Sequence, residues 1–101
     1  MNFYDFLERH SFIVSISVVK RLIDPSIGAV GNFFEATLLG DNDSPVIGYD
    51  PVFNQFQTIR GGSFKGPLGA IEQLVFSLNN KAFVSYDKKE HIKIKQIVLE
   101  D

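Results

Sequence analysis

The spacing of apolar residues changes several times along the chain, and each change predicts an element. From Asn2 to about His10, Phe3, Phe6, Leu7 and His10 fall at helical spacing behind Asn2, a favourable N-cap, which predicts a short amphipathic helix. From Phe12 to about Ile23, the residues Phe12, Val14, Ile16 and Val18 alternate with Ile13, Ser15, Ser17 and Val19. β-Branched side chains in that alternation favour a strand. A continuation of the first helix as far as the Asp24-Pro25 stop is the competing reading. "DPSIGAVG" reads as a loop. "NFFEATLLG" and "PVIGYD" flank the turn chemistry of Gly40 to Ser44 and predict a hairpin, and "FNQFQTIR" predicts a further strand.

Beyond a glycine-rich stretch the period returns to that of a helix. Leu68, Ile71, Leu74, Val75 and Leu78 define one apolar face, with Pro67 at the first position and Asn79-Asn80 at the end. "AFVSYD" and "HIKIKQIVL", joined through Asp87 to Glu90, predict a second hairpin. This order describes an α+β fold: a mostly antiparallel sheet of about five strands with two helices packed on one face. No internal repeat, low-complexity segment or linker interrupts it, so residues 1–101 are expected to form one domain.

Composition narrows the chemistry. At 101 residues and 45% hydrophobic content the chain can bury one core without staples. Ten basic residues against 12 acidic ones leave a net charge of −2, too little for a bulk field that would hold phosphate backbones or anionic lipid. Neither nucleic acid nor a membrane is expected as a partner. The run from Phe12 to Val19 is broken by two serines and is far shorter than the about 20 apolar residues that cross a bilayer. The opening residues lack the basic-then-apolar order of a signal peptide, and a cytoplasmic protein is the expectation. The absence of cysteine excludes disulfides, thiolate metal sites and thiol catalysis. No cofactor or metal is implied by the remaining residues.

One stretch invites a chemical reading. "RGGSFKGPLGA", Arg60 to Ala70, sets glycines, two cations and a proline ahead of the second helix. Backbone N–H groups at a helix start can hold a phosphate or carboxylate, and Arg60, Gly61, Gly62, Ser63, Lys65 and Gly66 are the candidate ligands. Gly61 and Gly66 share the spacing of the two P-loop glycines, but Pro67-Leu68 stands where Lys-Ser/Thr belongs; the dinucleotide fingerprint also lacks a glycine. A bend between strand and helix is the plainer reading. Asp41, Asp43 and Asp50 miss the calcium-loop pattern, because Pro45, Val46 and Val52 occupy required positions. His10 and His91 have no sequence partners that suggest a triad or a zinc set, and no catalytic residue is assigned. His91, Lys93 and Lys95 alternate with Ile92 and Ile94, as on an outer or edge strand.

The aromatic surplus points elsewhere. Phe33 and Phe34 are adjacent on a strand and must face opposite sides, while Phe76 and Tyr4 lie off the apolar stripes of their helices. These four are candidate interface residues, since an exposed apolar patch usually marks one. The reading that follows is a small soluble, non-enzymatic interaction protein. It would be a homo-oligomer or bind a protein partner, in the manner of bacterial accessory, inhibitor or immunity proteins. The alternative is a small anionic-ligand-binding protein or enzyme using Arg60 to Pro67, with His10, His91 or Glu72 available for proton transfer.

Overall fold

Helix α1 (Phe3–His10) forms where the spacing predicts it in the computed structural model, which describes residues 1–86 and 90–99. The Asn2 side-chain oxygen accepts from the N–H groups of Tyr4 and Asp5 at 2.8 and 3.3 Å, satisfying two donors that the first turn leaves without partners. Ser11, in the left-handed conformation, closes the other end. Phe3 and Phe6 are the residues this helix buries.

The alternating segment is a strand. β1 (Ile13–Asp24) pairs antiparallel with β2 (Ala29–Leu39), from Ile13 opposite Leu39 out to Leu22 opposite Val30. The predicted loop is therefore shorter than "DPSIGAVG", and Ala29, Val30 and Gly31 belong to the strand. Asp24 makes the short turn possible: its carboxylate accepts from the Ser26 hydroxyl at 2.6 Å and from the Ser26 N–H at 3.0 Å, ahead of Gly28 at φ 68°.

The predicted hairpin between "NFFEATLLG" and "PVIGYD" gives way to a crossing between sheets. After a 3-10 turn at Asp41–Asp43, only Leu39 bridges Pro45, and the Val46 N–H donates to Leu38 O at 3.0 Å. The chain then enters β3 (Ile47–Asp50), which pairs with β4 (Gln55–Thr58) instead of β2. Positive φ at Asn42 and Asp43 turns the chain out of the line that a hairpin partner would need. "FNQFQTIR" likewise splits: β4 ends at Thr58, and β5 (Arg60–Ser63) pairs with β2. Ile59, fully buried, is the hinge between the sheets.

Helix α2 (Pro67–Asn79) follows, then β6 (Phe83–Tyr86) and β7 (Glu90–Lys93), which pair antiparallel. The turn proposed through Asp87 to Glu90 has residues 87–89 outside the described residues. The fold is α+β, with seven strands among the described residues in two antiparallel sheets, β1-β2-β5 and β4-β3-β6-β7. The single sheet of about five strands is corrected to this pair, because the chain switches sheets at Val46 and again at Ile59.

The core sits where the sheets meet α2: Phe3, Phe6, Phe12, Ala36, Leu38, Val46, Ile59, Ala70, Leu74, Val75, Leu78, Val84 and Ile97. The buried face of α2 is rotated from the expected one, with Ala70 inside and Leu68 outside. The reason is the closeness of the helix to β5. A Cβ at Gly61 would lie 2.1 Å from Leu74 N and 2.4 Å from Ala70 O, so only a glycine facing a small residue permits this approach. No helix among the described residues is long and apolar enough to cross a membrane.

Candidate interaction surfaces

The glycine-rich stretch is built mainly by packing. Arg60, Gly61, Gly62 and Ser63 form β5 opposite Thr37, Ala36, Glu35 and Phe34, so the first four residues of the expected loop are strand. Gly61 lies under α2, and the ring of Phe33 lies over Gly62. The Ser63 hydroxyl accepts from the Lys65 N–H at 2.9 Å, and Gly66, at φ 126°, occupies the N-cap of α2. Arg60, Gly61 and Gly62 border one shallow cavity of about 220 Å³ with Arg21, Phe33 and Glu35; Ser63, Lys65 and Gly66 do not. The Arg21 guanidinium sits 4.4 Å from the centre of the Phe33 ring and pairs with Glu35 at 2.7 Å. The six candidate ligands are thus divided, and an anion near Arg60 would compete with the Glu35 carboxylate.

Phe33 and Phe34 face opposite ways, as adjacent strand residues must. Phe34 packs against the core; Phe33 meets Phe64 edge-on at 4.9 Å on the far side. Tyr4 and Phe76 are both exposed. Phe76 stands with Val52 and Phe53, also exposed, around a cavity of about 330 Å³ between the end of α2 and the β3–β4 turn. Lys81 and Asp50 border this cavity, both buried. Lys81 Nζ donates to Gln57 Oε1 at 3.1 Å and lies 3.8 Å from Asp50, whose carboxylate also accepts from the N–H groups of Val52 and Phe53. Asp50 is therefore a turn-holding residue, remote in role from Asp41 and Asp43 on their own 3-10 turn.

A row of rings runs across the outer face of the second sheet, where Phe56, Tyr49 and Phe83 occupy successive strands and His91 follows on β7. Tyr49 and Phe83 are parallel at 5.2 Å, and Phe83 and His91 are nearly so at 4.7 Å. Rings stacked between neighbouring strands cover one another's faces and turn edges outward. That arrangement stabilises a wet sheet face by cross-strand pairing. β7 is the edge of this sheet, as the alternation of His91 and Lys93 with Ile92 predicts.

A further uncovered apolar surface is on the first sheet. Partners across an antiparallel pair share a face, so Val14, Ile16, Val18 and Leu22 of β1 lie beside Leu38, Ala36, Phe34 and Val30 of β2. Gly61 is opposite Ala36 on this face, which is the one α2 covers. The cover ends early. Ile16, Val18, Leu22 and Val30 are 38, 53, 56 and 54% exposed, although they continue the row in which Ala36 and Leu38 are wholly buried. β5 pairs with β2 only from Phe34 to Thr37, so beyond Phe33 the sheet is a two-stranded ribbon, with Leu22, Ile23, Ile27 and Val30 exposed near its tip. Sequence reasoning overlooked these residues, although the alternation of Val14, Ile16 and Val18 was their signal.

No family model, no curated protein and no solved structure matches this chain.

Proposed function

We propose that this is a non-enzymatic interaction protein that works through self-association, with the β1–β2 ribbon as its interface. The observation that carries the reading is the core-facing row of the first sheet, which runs past the end of its helix cover as Ile16, Val18, Leu22 and Val30. Exposed apolar surface of this kind, interrupted by Lys20 and Asn32 between Val18 and Leu22, marks an interface.

The open edge of β1 supports a second copy as the occupant. From Ile13 to Val19 this edge strand carries no charge, no proline and no bulge, so the usual devices that prevent edge pairing are missing there. An antiparallel pairing about a two-fold axis through Val18 sets Ile16 opposite Lys20 and Val14 opposite Leu22. Like charges never meet, and the two uncovered rows become one. The four aromatic candidates then divide. Phe34 is needed for the core behind the row, while Phe33, Phe76 and Tyr4 remain available for other contacts.

The test is the molar mass of the protein by light scattering across the micromolar range, for the native chain and for Val18→Lys. The expected result is a dimer that becomes a monomer in Val18→Lys with an unchanged far-ultraviolet circular dichroism spectrum. A native chain that is monomeric throughout overturns the reading.

A further inference from the structure

A second surface has the opposite character. Between α1 and β7 lies a cavity of about 220 Å³ lined by Met1, Phe6, Arg9, His10, Ile92, Lys93, Lys95 and Ile97. Its floor is apolar, because Phe6 and Ile97 are core residues and Ile92 packs against them. Its rim is basic: Arg9 and His10 come from the last turn of α1, and Lys93 and Lys95 from the end of β7 and the segment after it. No carboxylate is among the described lining residues, and Arg9, Lys93 and Lys95 have no ion-pair partner among the described residues.

This concentration is unusual in a chain of net charge −2. Three permanent cations and an imidazole converge on one concavity while acidic residues predominate in the chain as a whole. Cations gathered around low-dielectric walls focus a positive potential into the cleft, which raises the local concentration of anions. The apolar lining adds a second requirement, since an inorganic ion would leave the half-buried Ile92 and the exposed Met1 side chain against water. The volume is that of about seven water molecules at roughly 30 Å³ each, so the occupant has a body of similar size.

We infer that the cavity between α1 and β7 binds a small organic anion, with its carboxylate or phosphate held by Arg9, Lys93 and Lys95 and its short apolar body on Ile92 and the Met1 side chain. The site is separate from the ribbon and from the glycine-rich stretch, and it does not depend on self-association.

The test uses nitrogen-15 amide spectra of the full chain, titrated in parallel with hexanoate, hexyl phosphate, inorganic phosphate and 1-hexanol. Hexanoate or hexyl phosphate is expected to give saturable shifts at Arg9, Lys93, Lys95 and Ile97, and the comparison of the two tells carboxylate from phosphate. 1-Hexanol and inorganic phosphate each lack one half of the recognition and should bind at least about tenfold more weakly, the size of a difference worth two modest contacts. Arg9→Glu combined with Lys95→Glu should weaken the organic anion by about tenfold or more, whereas Lys20→Glu, on the ribbon, should leave it unchanged. Amide shifts elsewhere in each variant report whether the fold is intact. The inference is overturned if neither organic anion saturates those amides, if hexanol or inorganic phosphate binds as tightly, or if Lys20→Glu weakens binding as much as the double variant.

Discussion

At the base of the first sheet, Ala36 and Leu38 lie under α2 with no exposure; two turns of the alternation further out, Val18 and Leu22 occupy the same face and are more than half exposed. The two regions share a strand pair, a face and a side-chain chemistry. They differ in what the rest of the chain brings to them. β5 and α2 reach only as far as Phe34, and an isolated two-stranded ribbon has little independent stability in water. The base is thus built for folding, and the ribbon is left with apolar surface that folding does not use. That contrast teaches that an apolar row in a sheet identifies what must be covered, whereas the chain's path decides whether the cover is internal.

The contrast can be broken most forcefully at the base. Leu38→Ala should cost about 2 to 5 kcal/mol in urea unfolding, through lost burial and the cavity left behind. Leu22→Ala, measured at a concentration where the chain is monomeric, should stay within about 0.5 kcal/mol of the native value. Equal costs for the two would mean that the ribbon is packed within the monomer. Next in size is Gly61→Ala, which should lose about 1 to 3 kcal/mol because the new methyl meets backbone atoms of α2 that cannot yield cheaply. The same urea titration reads it.

Asn2→Ala removes the cap of α1 and should cost about 1 kcal/mol, read by thermal unfolding; no change would show that α1 is held by Phe3 and Phe6 alone. The smallest effect belongs to the ribbon tip. The hydrogen bond from the Ser26 hydroxyl, followed by that from the Ser26 N–H, holds the Asp24 carboxyl below its ordinary value of 3.8. A depressed carboxyl favours the folded turn above the unfolded value, and that preference fades as pH falls through the lowered one. Carbon-13 titration of the Asp24 carboxyl should therefore show a midpoint below 3.8, and Ser26→Ala should move it back up.

Much of the local structure was legible. Asn2 before a 3.6-residue apolar period announced α1, and Pro67 with Leu74, Val75 and Leu78 announced α2, because caps and periodicity act over a few residues. The strand at Ile13–Asp24 was readable from alternation and β-branching. The pairing was less so. "NFFEATLLG" was matched to its sequence neighbour, yet β2 pairs with β1 and β5, since a strand's edges carry the same N–H and C=O groups whatever its sequence. The interface candidates show the same limit. Tyr4 and Phe76 stood off their helical stripes and are exposed, and the opposition of Phe33 and Phe34 followed from strand geometry. None of this indicated that Ile16, Val18, Leu22 and Val30 would remain uncovered.

The basic cavity lay beyond any local reading, because Arg9 and Lys95 are far apart in the chain and meet only where α1 packs beside the end of β7. Sequence by itself determined both helices and their caps and the alternation within the longer strands, since these depend on contacts within one or two turns of chain. Tertiary structure alone decided which faces are covered, which glycines serve close packing and which charges converge, since each requires segments that only the folded path brings together.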